Sequence, residues 1–133
     1  MSPLDLQAIE DLRALNPDDV SFLRELIQIY LDDSPKQIAE IAQSLANGDA
    51  PRLTRAAHSL KGSSANFGAG QLRALCEKIE HLGRSAALGE IPARLPELKA
   101  EYDRVKAALE AQLIAALAAA KPVPAKKAEE KKK

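Results

Sequence analysis

The chain has 133 residues, 19 basic and 19 acidic side chains and no net formal charge, which is one small domain's worth of sequence and excludes a second sizeable core. Its single cysteine, Cys76, excludes an internal disulfide and a cysteine-based zinc site, and no signal peptide or membrane-length apolar run is legible, so a soluble, cytoplasmic protein with no membrane partner is expected. Trp is absent, Tyr and Phe number two each, and Ala, Leu, Glu, Lys and Arg dominate, favouring helices over strands.

Leu4 to Leu15 reads as a short amphipathic helix with Leu6, Ile9 and Leu12 on one side, closed by the breaker pair Asn16-Pro17. It is too short to stand alone. A second helix is predicted from about Pro17 to Asp33, with Val20, Leu23, Leu26, Ile27, Tyr30 and Leu31 at helical spacing and Asp18 and Asp19 suiting its N-terminal dipole. Ser34-Pro35-Lys36-Gln37 offers a capping box with proline at the first helical position, so a new helix or a kinked continuation runs to Ala46. Asn47-Gly48-Asp49 then stops it and caps the next.

From Ala50 a helix runs to about Phe67, and Gly68-Ala69-Gly70 turns the chain into another from Gln71 to about Ser85, a tight helical hairpin. After Gly89 and Pro92 a long helix begins between Ala93 and Pro96 and continues to about Ala119, with Leu95, Leu98, Tyr102, Val105, Leu109 and Leu113 as its stripe. The expected architecture is all-α: an antiparallel four-helix bundle over residues 1–119 with a short N-terminal capping helix. KPVPAKKAEEKKK has no apolar periodicity, so residues 120–133 are expected to form a disordered Lys/Ala/Pro-rich tail.

Charge is spread unevenly. Residues 121–133 hold six Lys and two Glu, residues 1–49 hold ten acidic and three basic side chains, and residues 50–88 hold six basic and two acidic. The first histidine, His58, lies in the basic segment of the folded part. At about 100° per residue, Leu53, Ala56, Ala57, Leu60, Ser64 and Phe67 share one face of its helix. His58 points outward, with Arg55, Gly62 and Ala65 on the same side and Lys61 on the border. Glycine inside a helix costs about 1 kcal/mol relative to alanine, and one turn from the imidazole it strips the surface down to backbone. A partner can approach closely there. On the following helix Leu72, Leu75, Cys76, Ile79, Leu82 and Gly83 form the packed face, Glu80 borders it, and His81 points outward with no such neighbours. Cys76 reads as core filler and His81 as an ordinary surface residue.

The run His58, Lys61, Gly62, Ser63, Ser64, Gly68, Leu72, Cys76, Ile79, Glu80 resembles the signature of the histidine-containing phosphotransfer (HPt) domain, H-x-x-K-G-S/A-S/A followed by a glycine-led turn and L-x-x-x-C-x-x-L/I-E. With the flanking helices the resemblance covers roughly residues 4 to 115. It implies a phosphorelay intermediate that takes a phosphoryl group from the aspartate of a receiver domain onto His58 and passes it to another receiver. It also implies that Glu80, at the position where the family supplies Gln or Glu, accepts the Nδ1 proton and fixes the tautomer. Lys61 is then placed to stabilise phosphoryl charge. The resemblance further implies a carrier without an ATP site, and a monomer whose partners are receivers of response regulators and hybrid kinases. No cofactor or metal ligand is its own, since magnesium comes with the receiver. Gly62, Arg55 and Ala65, with Leu6 and Ile9 of the capping helix, are the expected partner-docking residues.

Other functions fit less well. The glycines at 62, 68 and 70 follow no strand and make no phosphate-cradling loop, and no nucleophile, base and acid come together for hydrolysis. The folded part is net negative and nearly free of aromatics, against a nucleic-acid partner. The remaining alternative is a helical scaffold that keeps the bundle without relay activity.

Overall fold

The computed structural model describes residues 3–120, without the side chains of Val20 and residues 116–120. The elements are α1 (Leu6–Ala14), α2 (Val20–Ala46), α3 (Ala50–Ala65), α4 (Gly70–Arg84), two single 3-10 turns at Leu88–Glu90 and Pro92–Arg94, and α5 (Leu95–Ala120). There is no strand among the described residues. None of these helices is long and apolar enough to cross a membrane. Of the tail expected over residues 120–133, Ala120 is instead the last residue of α5, and residues 121–133 lie outside the described residues.

Three aspartates open the first three helices. Asp5 accepts from the Gln7 backbone N–H at 2.9 Å, Asp19 from that of Ser21 at 3.0 Å and Asp49 from that of Arg52 at 3.2 Å, each satisfying a donor that the first turn leaves free. α2 therefore begins three residues beyond Pro17, at the residue its cap dictates. At its other end Gly48 takes φ +67°, the left-handed conformation that suits glycine.

Pro35 sits inside α2, and Ser34 does not cap a new helix; its hydroxyl donates to the Tyr30 carbonyl at 2.5 Å. Proline removes one backbone donor and crowds the preceding turn. The helix survives it because Ile27, Tyr30, Ile38 and Ile41, on both sides of the proline, are all buried.

α2, α3, α4 and α5 form an up-down bundle. Tyr30 meets Ser64 and Phe67 while Glu40 meets Arg52, so α2 and α3 run antiparallel. His58 meets Glu80 near the middle of the next pair, and Tyr30 packs on Tyr102 across α2 and α5. Leu53, Ala56, Ala57, Leu60, Ser64 and Phe67 are buried as their spacing predicts, as are Leu72, Cys76, Ile79, Leu82 and Gly83. The long stripe of α5 is buried at Leu98, Tyr102, Val105 and Leu109 and partly buried at Leu95 and Leu113.

α1 lies across the α3–α4 turn. The Asp5 N–H donates to the Gly68 carbonyl at 2.9 Å, and Gly68, at φ +67°, has no room for a Cβ against Asp5 and Ala8. This docking turns Ile9 inward to 1% exposure and leaves Leu6 at 56%. Ile9 is thus a core residue and offers no surface to a partner, contrary to its expected docking role. A helix this short holds its place only by burying its best apolar residue.

Candidate functional site

The α3–α4 hairpin carries the site. On α3, burial of Leu53, Ala57 and Leu60 fixes the rotation of the helix, so the side chains a third of a turn away emerge at the α4 seam or in solvent. His58 is one of these, with its side chain 64% exposed. On α4, Glu80 follows Ile79 into the seam and is 1% exposed. Nδ1 of His58 and Oε2 of Glu80 are 2.8 Å apart. An ionised carboxylate can only accept, so this contact puts the ring proton on Nδ1 and leaves the Nε2 lone pair facing outward.

Glu80 has two further partners. Nζ of Lys61 lies 2.7 Å from Oε1, and Nη2 of Arg84 lies 2.5 Å from Oε2. Burial pushes the Glu80 carboxyl up; the close contacts of Lys61 and His58 and the charges of Lys61 and Arg84 outweigh it and hold the group below its ordinary value. Thus a buried but ionised carboxylate gathers an imidazole and two cations. Lys61, expected to reach toward an incoming phosphoryl group, rests instead on Glu80, one turn from the imidazole, with 22% of its side chain exposed. Sequence reasoning misses Arg84. Its signal is its place four residues after Glu80, the spacing at which a glutamate and an arginine meet on one helix face.

Thr54, Arg55, His58, Ser59, Glu80 and Arg84 line a shallow depression. Arg55 is exposed and has no ion pair among the described residues. Gly62 and Ala65 are exposed on α3, and a Cβ on Gly62 would meet nothing within 4 Å. His81 is exposed, with no side-chain hydrogen bond or ion pair among the described residues. Cys76 is fully buried and its thiol is pushed up to about 12, chiefly by burial and then by the Glu80 charge, which removes it as a nucleophile.

A second feature escapes sequence reading. Leu12, Leu15, Phe22, Leu26, Ile29 and Tyr30 of the α1–α2 region wall an apolar groove of about 370 Å³ that reaches Ser63, Asn66 and Phe67 at the end of α3. Leu15 and Ile29 are 69% and 58% exposed. The groove thus begins one residue past Gly62 on the helix that carries His58.

The family model described as the Hpt domain matches residues 25–108. Histidine-containing phosphotransfer protein 4 of Arabidopsis thaliana is 32% identical over 110 residues, which are 80% of this chain and 86% of that protein. Multistep phosphorelay regulator 1 of Schizosaccharomyces pombe is 30% identical over 81 residues, 60% of this chain but 28% of that protein. The chain therefore spans little more than a quarter of that much longer relative. Among solved structures, histidine-containing phosphotransfer protein B of Pseudomonas aeruginosa PAO1 superimposes with a TM-score of 0.76 at 27% identity, covering 83% of this chain and 93% of that one.

Proposed function

The chain belongs to the Hpt domain family, whose members are phosphotransfer carriers of two-component phosphorelays, and we propose that it carries the phosphoryl group on Nε2 of His58. The observation that supports this most directly is the 2.8 Å contact from Nδ1 to a carboxylate that is 1% exposed, while the His58 side chain as a whole is 64% exposed. In the accepting step the Nε2 lone pair attacks the phosphorus of a receiver's aspartyl phosphate. The P–O bond breaks, the aspartate leaves as a carboxylate, and the ring keeps its Nδ1 proton as a phospho-imidazolium. No proton has to move, so the geometry around Glu80 serves both directions of transfer.

Lys61 lies within one helical turn of the imidazole and supplies positive charge where the phosphoryl oxygens arrive. The receiver brings its own acidic pocket and magnesium ion, to which the basic hairpin with its exposed Arg55 is complementary. Gly62 and Ala65 give the close approach. Docking continues into the apolar groove through Leu15 and Ile29, which, with Leu6, take the place assigned to Ile9. Transfer uses no ATP site of this chain.

Incubation with a phosphorylated receiver tests the reading. An acid-labile, base-stable label is expected on His58 and is lost in His58→Gln, which keeps wild-type helicity. Label that persists on the variant, for instance on His81, overturns it.

A further inference from the structure

Glu80 is the centre of the site, and its two oxygens are not equivalent. Oε1 takes Lys61, while Oε2 is shared by His58 Nδ1 at 2.8 Å and Arg84 Nη2 at 2.5 Å. We infer that Glu80 sets the reactivity of the phosphorylated ring as well as its direction, and that Arg84, by drawing on the same oxygen, is the positioning residue that attenuates it. This rests on His58 as the phosphoryl carrier and goes on to how long the group stays there.

The chemistry lies in the departing step. A receiver carboxylate oxygen attacks phosphorus, the P–Nε2 bond breaks, and its electron pair returns to Nε2. When Nδ1 holds its proton the ring leaves as neutral imidazole; when that proton has been lost the ring must leave as imidazolate, a far poorer leaving group. The phosphoryl group is therefore transferable while Nδ1–H persists and stored once it is gone. A buried ionised acceptor holds that proton to higher pH than a neutral amide would, because a hydrogen bond to a charged partner is about twice as strong. Arg84 acts in the opposite sense on both counts: it takes part of the accepting capacity of Oε2 and its charge opposes a second cation beside it.

The surroundings leave these groups in control. All lining residues of the depression come from α3 and α4. Arg55 stands at its edge, Lys61 is on the other oxygen, and the Cys76 thiol behind Glu80 is neutral throughout the relevant range. Lys61 carries a proposed role toward the phosphoryl group as well, so Arg84 is the cleaner probe.

Wild type, Glu80→Gln and Arg84→Met are phosphorylated with phosphoramidate, and the pH at which Nδ1 of the phosphorylated ring loses its proton is read by nitrogen NMR. Glu80→Gln is expected to lower that midpoint by about one pH unit and Arg84→Met to raise it by up to about one. At pH values above the wild-type midpoint, transfer from the Gln variant to a receiver slows about tenfold as the protonated fraction falls. A purely structural Arg84 would alter melting and leave the midpoint in place. Equal midpoints in labelled proteins, or a fall in Arg84→Met, overturn the inference alone; a wild type that takes no label overturns the carrier reading and this inference with it.

Discussion

Glu80 on α4 and Glu101 on α5 are both held almost entirely out of solvent, at 1% and 3% exposure, and each has an arginine about one turn further along its own helix. Their surroundings differ across the seam. α3 returns His58 and Lys61 to Glu80, so Oε2 has hydrogen-bond partners in His58 and Arg84 from two helices, while Oε1, which has no hydrogen bond among the described residues, has the Lys61 ammonium 2.7 Å away as its ion-pair partner. Arg104 reaches one oxygen of Glu101 at 3.2 Å, and the other has no hydrogen-bond partner among the described residues. A buried acceptor without a partner costs about 1–3 kcal/mol, whereas a buried carboxylate facing several donors becomes a fixed point from which other side chains can be aimed. Burial of an acid is therefore no sign of a site until the facing helix is known to answer it.

The widest separation between the two is expected in transfer rate. Glu80→Leu leaves Lys61 and Arg84 together without a counter-charge and frees the imidazole, and a ring displaced from its line of attack loses on the order of a hundredfold in rate. Glu101→Leu is expected to transfer at the wild-type rate and to melt at the same temperature or higher, since it removes an unanswered polar atom. Parallel receiver assays and melting curves decide this; equal rates in the two variants would erase the distinction. A smaller effect lies in acid. Because folding holds Glu80 below its ordinary value of about 4.5, the stabilisation from its ion pairs is fully present above that value and is lost as the pH falls through the lower folded one. Melting temperature measured down the acid limb is expected to fall less steeply in Glu80→Gln than in wild type.

The sequence carries the bundle and half of this site, for a definite reason. A helix's inward face follows from 3.6-residue spacing, so the buried residues of α3 and α4, and with them the outward direction of His58, can be read off directly. What spacing cannot supply is the distance between two helices. Glu80 stands on the border of its packed face, and whether such a residue is swallowed or solvated depends on how closely the facing helix approaches, which here Gly83 permits by setting no Cβ against Thr54 and Leu53. Arg84 is discoverable from its i+4 relation to Glu80, but a pair of that kind is usually a solvated surface contact. Ile9 and the apolar groove turn on how α1 docks, which a hydrogen bond from Asp5 to Gly68 decides. Pro35 reads locally as a helix start, whereas packing on both sides of it outweighs its penalty.

Two glycines sharpen the contrast within the hairpin itself. Gly83 faces the seam: a Cβ there would press on the Thr54 hydroxyl, which already donates to the Ala50 carbonyl at 2.7 Å, and would stand 3.0 Å from Leu53. Gly83→Ala is expected to cost about 1–3 kcal/mol through overpacking, and to loosen the approach of α3 and α4 that brings Glu80 to His58. Gly62 faces outward, is not among the residues at positive φ, and would place an added methyl group with nothing within 4 Å of it. The bundle gains nothing from it. Gly62→Ala should accordingly raise stability by up to about 1 kcal/mol and transfer near the wild-type rate, since one methyl group leaves the imidazole accessible. Gly62→Gln separates the remaining explanations: its side chain would occupy the space beside Nε2 that an aspartyl phosphate must enter. A folded Gln variant that is slow in transfer assigns the glycine to access, whereas one that binds its receiver and transfers at the wild-type rate shows that the bare backbone beside His58 serves no approach at all.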